Sequence, residues 1–267
     1  MNKVVLIINI KSMNVLPVME RWLMQIHAPE AISRIGPWLT RYHSYRAVPP
    51  PPEMQAEIVD YGYYNWRVTE LWSADRYPQH GILPQAFFPE YAGNIGLAST
   101  HADSARWYGS KDGIRQACRI EVPARATEDF KGGDRSLNEY PSILRWFVAF
   151  KYPEGVSIAD GERWYLETHA QEVLRQPGLL RFTSHKAVGT DSDKPPMWHR
   201  LSELWYEDFD AWHDAVIDHP PAYTCPDWAT HRQYPFFKPF EDFAGTFLLE
   251  APTNNFLRDY QGYIVSV

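Results

Sequence analysis

The chain has 267 residues, 45% of them hydrophobic and 15% aromatic, with 11 Trp and a formal net charge of −7. That length suits two fused small domains, and the hydrophobic share excludes intrinsic disorder. An acidic chain without clustered Lys and Arg is not expected to bind nucleic acid.

The first predicted element is a buried strand over Val4–Ile10. The run is short for a signal peptide and no small-residue cleavage site follows it. No stretch approaches the roughly 20 apolar residues of a membrane span. Two cysteines, Cys118 and Cys225, are too few for a disulfide framework or a thiolate metal site. These features predict a soluble, cytoplasmic protein with no membrane partner.

A helix over about 14–27 follows, containing Trp22 and His27 in a W-x4-H-A pattern. The same pattern returns at Trp164 and His169 after a second apolar strand, Arg145–Tyr152, at an offset of 164 − 22 = 142. Thr69-Glu-Leu-Trp72 is echoed by Ser202-Glu-Leu-Trp205, at an offset of 202 − 69 = 133. Order is kept and the offsets nearly agree, so the chain contains a duplicated unit. Each copy reads as a strand, a helix (14–27; 160–175), a second strand (38–48; 179–188) and a third (59–72; 197–206). In the second copy, Phe209, Trp212, Val216 and Ile217 share one face of a further helix, and a strand over Gly245–Glu250 closes the unit. This βαββαβ order predicts an α+β fold, a tandem of two ferredoxin-like units joined into an α/β barrel. The first unit spans 1–135 and the second 136–267 with a C-terminal tail. Residues 75–135 lack a clear period and read as an irregular insertion or lid that includes the first unit's missing last elements. The run Pro49–Pro52 predicts extended chain.

The sequence has no HExxH, no CxxC, no glycine-rich phosphate loop and no GxSxG elbow. Neither a metal nor another cofactor is expected, which leaves acid–base chemistry by side chains. Among the ten histidines, His27 precedes Ala28-Pro29 and is placed in the last turn of its helix or just past it. There it either complements the helix dipole or serves as a tunable acid–base. His169 is its repeat mate. His199, His213, His219 and His231 read as surface or satisfied groups. His43 alternates with Tyr42 and Tyr45, so register decides which faces the barrel.

Several segments resemble the bacterial chalcone isomerases. Residues Pro17 to Ser33, PVMERWLMQIHAPEAIS, are similar to that family's opening, as are Trp38–Tyr42 and Arg67–Glu70. The second half keeps FKYPEGV at 150–156, GERW at 161–164, LWYE at 204–207 and PFFKP at 235–239. The C-terminal PTNNFLRDYQGYI at 252–264 is a close echo. The resemblance implies a ferredoxin-like tandem, a catalytic role for His27 near a lid, and cofactor-free closure of a chalcone to a flavanone. The middle, about 76–125, departs from the pattern. Gln85 there is the candidate for the family's glutamine, and His169 stands where the family has no histidine. The site expected is therefore His27 and His169 as catalytic groups, with Arg41, Tyr45, Arg67, Trp72, Gln85 and Trp205 binding a small phenolic substrate. A homo-oligomer is expected. Two other readings share these parts: a lyase that removes formaldehyde or water from a lignin-derived dimer, and a non-catalytic binder of aromatic compounds.

Overall fold

The computed structural model of the chain describes residues 1–73, 114–132, 143–188 and 196–260. The first unit begins with strand β1 (Asn2–Ile10). A long helical stretch follows: α1 (Leu16–Trp22), a π-helical turn (Leu23–His27) and α2 (Ala28–Ile35). Then come β2 (Leu39–Arg46), the short α3 (Gln55–Val59), β3 (Arg67–Ser73) and β4 (Ile114–Pro123). After β5 (Glu128–Lys131), the second unit runs β6 (Leu144–Phe150), α4 (Ile158–Trp164), a π-helical turn (Tyr165–His169) and α5 (Ala170–Val173). It continues with β7 (Arg181–Lys186), β8 (Arg200–Tyr206), α6 (Phe209–His213), a third π-helical turn (Asp214–Asp218) and β9 (Phe243–Leu249). Strand β10 (Asn254–Asn255) and α7 (Phe256–Asp259) end the described chain.

The two five-stranded sheets have the orders β10-β2-β3-β1-β4 and β5-β7-β8-β6-β9. Without β10 and β5, both are the antiparallel 2-3-1-4 sheet of a ferredoxin-like unit. The duplication holds at the level of register. Lys3 faces Trp72 and Ile8 faces Arg67; in the second sheet Arg145 faces Trp205 and Phe150 faces Arg200.

Each sheet is covered on both faces, which is why β1 and β6 read as nearly unbroken apolar runs rather than alternating ones. Val4, Ile8 and Ile10 pack outward on the helical layer with Met19, Trp22 and Ile32. Val5 and Ile7 point inward, where they meet Phe147, Ala149, Leu201 and Leu248 of the other sheet. The sheets close on each other at their edges through Val48 N–H to Phe247 C=O (2.8 Å) and Val188 N–H to Glu121 C=O (2.8 Å). A further seam joins Tyr64 N–H to Gly245 C=O (2.7 Å) and Gly245 N–H to Gly62 C=O (2.9 Å). The result is the barrel with helices outside.

Two local expectations are corrected. The helix does not end at His27 but continues to Ile35 through the π-helical turn. The third strand of the first unit starts at Arg67 rather than near 59, because α3 and a left-handed turn at Gly62 occupy the intervening chain. Within the segment read as partly irregular, the first unit's missing last strand is present as β4, which pairs with β1 from Asn2 to Ile10 with a shift of register after Asn9. The edge strands are also exchanged: β5 precedes residue 136 but pairs with β7, while β10 from the C-terminal tail pairs with β2.

Candidate active site

The two repeat-equivalent helices carry the same device. In each, one backbone turn widens so that an amide bonds five residues back, Ala28 N–H to Leu23 C=O and Ala170 N–H to Tyr165 C=O. The wide turn accommodates Pro29, whose ring nitrogen has no hydrogen to give to the helix. In each copy the last residue of that turn is the histidine, and its ring lies against the tryptophan five residues earlier. The centroids are 4.6 Å apart for Trp22–His27 and 4.8 Å for Trp164–His169.

The helices are fastened to their sheets by a repeated clamp. Glu20 receives Arg67 Nε (3.0 Å) and Nη2 (2.7 Å), and Arg67 Nη1 also reaches Ser44 Oγ (3.0 Å) and Asn254 Oδ1 (3.1 Å). Glu162 receives Arg200 Nε and Nη2, both at 2.8 Å, while Arg200 Nη1 reaches Ser184 Oγ (3.0 Å) and Glu128. Burial alone would raise both glutamate pKa values, but the arginines hold Glu20 and Glu162 below the ordinary carboxylate range. Arg67, expected to bind the substrate, is thus committed to the clamp.

The histidines differ in access. His27 is half-buried, and burial pushes its pKa down to about 4, so the imidazole is neutral near pH 7. His169 is 7% exposed and burial pushes it to about 3. It is roofed by Tyr165 and Tyr234 (centroids 5.5 and 5.8 Å), its Nδ1 has no hydrogen-bond partner, and the cavity it lines holds about 20 Å³. That space takes about one water molecule. His169 as found is shut off from any two-ring substrate.

The other predicted residues lie on the far side of the sheets. Tyr42 turns outward to the helical core, whereas Arg41, His43 and Tyr45 take the barrel side with Glu70 and Trp72. The Arg41 guanidinium sits 4.7 Å from the Trp72 ring centroid. Tyr45 is buried beside Arg145 (5.3 Å), and burial pushes its hydroxyl up to about 12. Trp205 lies in the same layer between Arg145 and Arg181. The structure therefore brings Arg41, Tyr45, Trp72 and Trp205 to one end of the barrel interior and separates them from His27 by a sheet. Gln85 lies outside the described residues.

Sequence reasoning missed the buried ions of that layer. Lys3 Nζ lies 3.5 Å from Glu70 and 3.6 Å from Glu203, and Glu203 takes Arg145 Nη2 at 2.8 Å. Burial would raise the Glu203 pKa, yet Arg145, His185 and Lys3 hold it well below the usual range. The signal was available: Glu-Leu-Trp recurs inside otherwise apolar strands, and a cation opens each first strand. Among the described residues, no group of three or more His, Cys, Asp or Glu side chains could hold a metal ion. No described helix is long and apolar enough to cross a membrane.

Residues 1–93, which include the π-helical turn and His27, match the chalcone isomerase N-terminal domain. The N-terminal part of this chain is chalcone isomerase-like. No curated protein matches the chain. Solved structures similar to it include an anthrone oxidase-like protein (8% identity, 95% of this chain and 92% of that one, TM-score 0.48). A dye-decolorizing peroxidase from Bacteroides thetaiotaomicron is also similar (10% identity, 92% of each chain, TM-score 0.45). So is an encapsulated DyP-type peroxidase from Mycobacterium smegmatis (8% identity, 93% of this chain and 92% of that one, TM-score 0.40). At these identities none of them bears on the chemistry of this chain.

Proposed function

We propose that the protein is an acid–base enzyme of chalcone isomerase type, acting on a phenolic substrate with His27 as the proton carrier. One observation carries this reading. Of the two histidines placed by the same π-helical turn, His27 is half-buried where His169 is buried, and its lowered pKa leaves the imidazole neutral near pH 7. It also lies within the part of the chain that matches the chalcone isomerase N-terminal domain.

The reaction moves one proton. His27 takes it from a phenol O–H, the oxygen bonds to the β-carbon of the enone, and the proton returns to the α-carbon. The O–H and C=C π bonds are replaced by O–C and C–H bonds, with no oxidation. Trp22 stacked on the imidazole fixes the ring plane, which favours holding oxygen and carbon in contact.

The test is turnover of 2′-hydroxychalcone by the full-length protein, followed by loss of chalcone absorbance and by chromatography of the flavanone. His27→Gln is expected to lower kcat by about 100-fold or more, the scale of a lost acid–base group, while His169→Phe retains most of it. Unchanged turnover in His27→Gln would remove the assigned role. Formaldehyde release from a hydroxymethyl lignin dimer, with chalcone untouched, would move the protein to the lyase class.

A further inference from the structure

The end of the barrel interior holds two arginine–tryptophan pairs at repeat-equivalent positions, and their hydrogen bonding is not equivalent. In the first unit, Trp72 Nε1 donates to Glu70 Oε2 (3.1 Å). In the second, Glu203 is turned toward Arg145, Lys3 and His185, and Trp205 Nε1 is left without an acceptor. Arg145 and Arg181 are the register neighbours of Trp205 on either side, their guanidinium carbons 5.6 and 5.1 Å from its ring centroid. The Nε atoms of both arginines are also buried and unpaired. Arg145 itself is 6% exposed and gives its Nη groups to Glu203 and to the Glu250 C=O.

A half-buried guanidinium and an indole N–H without acceptors are costly to leave unmatched. The two guanidinium groups flanking Trp205 are positive, the sign that attracts an anionic partner. Lys3, Arg41, Arg145 and Arg181 face the layer against the carboxylates of Glu70 and Glu203. Glu250 Oε2 is likewise buried and unpaired. Among the described residues, further titratable groups on this face are His43, His185, Tyr45 and Asp129, the last opposite Thr183. Trp72, Trp205 and Arg181 are half-buried and Arg41 is exposed, so the row is reachable at its rim.

We infer that the Arg145–Trp205–Arg181 row is a binding site for a flat aromatic anion, separate from His27 and on the opposite side of the sheets. The anionic oxygens would take hydrogen bonds from Arg181 and Trp205 Nε1, and the ring would lie against the indole between two cations. The shared chemistry is a delocalised negative charge on an aromatic ring, supplied by a carboxylate or a phenolate.

The experiment is calorimetric titration of the full-length protein with 4-hydroxybenzoate, 4-nitrophenolate at alkaline pH, neutral 4-hydroxybenzyl alcohol and acetate. Binding of either aromatic anion, with the alcohol and acetate at least about tenfold weaker, is the expected result; the better of the two names the group. Arg181→Gln and Trp205→Phe should each weaken the anion about tenfold, one charge-assisted contact's worth. Arg163→Gln, an exposed arginine paired with Asp160 on α4, should leave it unchanged. His27→Gln should also leave it unchanged; loss there would place the ligand beside His27 and overturn the site. Equal binding of the neutral alcohol, or a change under twofold in both Arg181→Gln and Trp205→Phe, overturns it as well. If Arg181→Gln fails to fold by circular dichroism, Trp205→Phe alone decides.

Discussion

His27 and His169 descend from one position, and their neutrality has two separate consequences. For His27 the expected consequence is kinetic. Because burial holds its folded-state pKa near 4, the acid limb of kcat/KM should fall with a midpoint near pH 4 rather than near 6.5. A pH–rate profile in turnover of 2′-hydroxychalcone checks this, and a limb at 6.5 contradicts it. For His169 the consequence is stability. Its pKa is about 3 when folded and 6.5 when unfolded, so the unfolded chain binds the proton first as pH falls. The neutral ring's contribution is intact above pH 6.5 and is lost progressively down to about 3. At about 1.4 kcal/mol per pKa unit, the loss is on the order of several kcal/mol. Denaturant midpoints measured at pH 7 and pH 4 should converge in His169→Phe relative to the native chain.

At the scale of elements, the clamps and the close contacts of the second helical layer carry the tests. Glu162→Gln leaves Arg200 buried against weaker acceptors and should cost about 3 kcal/mol or more in urea unfolding, as when one partner of a buried pair is removed. A Cβ at Gly161 would lie 2.4 Å from the Tyr152 ring, so Gly161→Ala should destabilise by about 1–3 kcal/mol through overpacking. The sequence disclosed the elements that repeat: W-x4-H and E-L-W located both helices and both third strands because duplicated side chains mark duplicated positions. It did not disclose that Arg67 is spent in a clamp, since its partner Glu20 is 47 residues away and no local pattern joins them. Pro29 read as a helix stop because the rule concerns α-helical hydrogen bonds, and a π-helical turn evades it. The β-favouring residues Tyr61, Tyr63 and Tyr64 read as strand, but Gly62 in a left-handed conformation turns the chain there and hands the segment to the other sheet. Which side of the sheet Trp72 and Trp205 would occupy depended on a register that only pairing sets.

For the whole molecule, the seam between the sheets and the exchanged edge strands make one folding unit of two repeats. At Gly245 a Cβ would stand 2.7 Å from the Tyr61 carbonyl, which is fixed backbone. Gly245→Ala should therefore lower the melting temperature and weaken both halves together, visible as a single shifted transition rather than two. The exchange adds a matter of timing. Arg67 emerges from the ribosome early, yet Asn254, which takes an Nη1 hydrogen, and β10, which pairs with β2, are made 187 residues later. At about 5–20 residues per second of synthesis, the N-terminal half waits on the order of ten seconds or more with β2 unpaired at its edge. A nascent chain stalled before residue 250 should thus be more open to protease within β2 than the released protein, and a chaperone acting on this chain would find its work there.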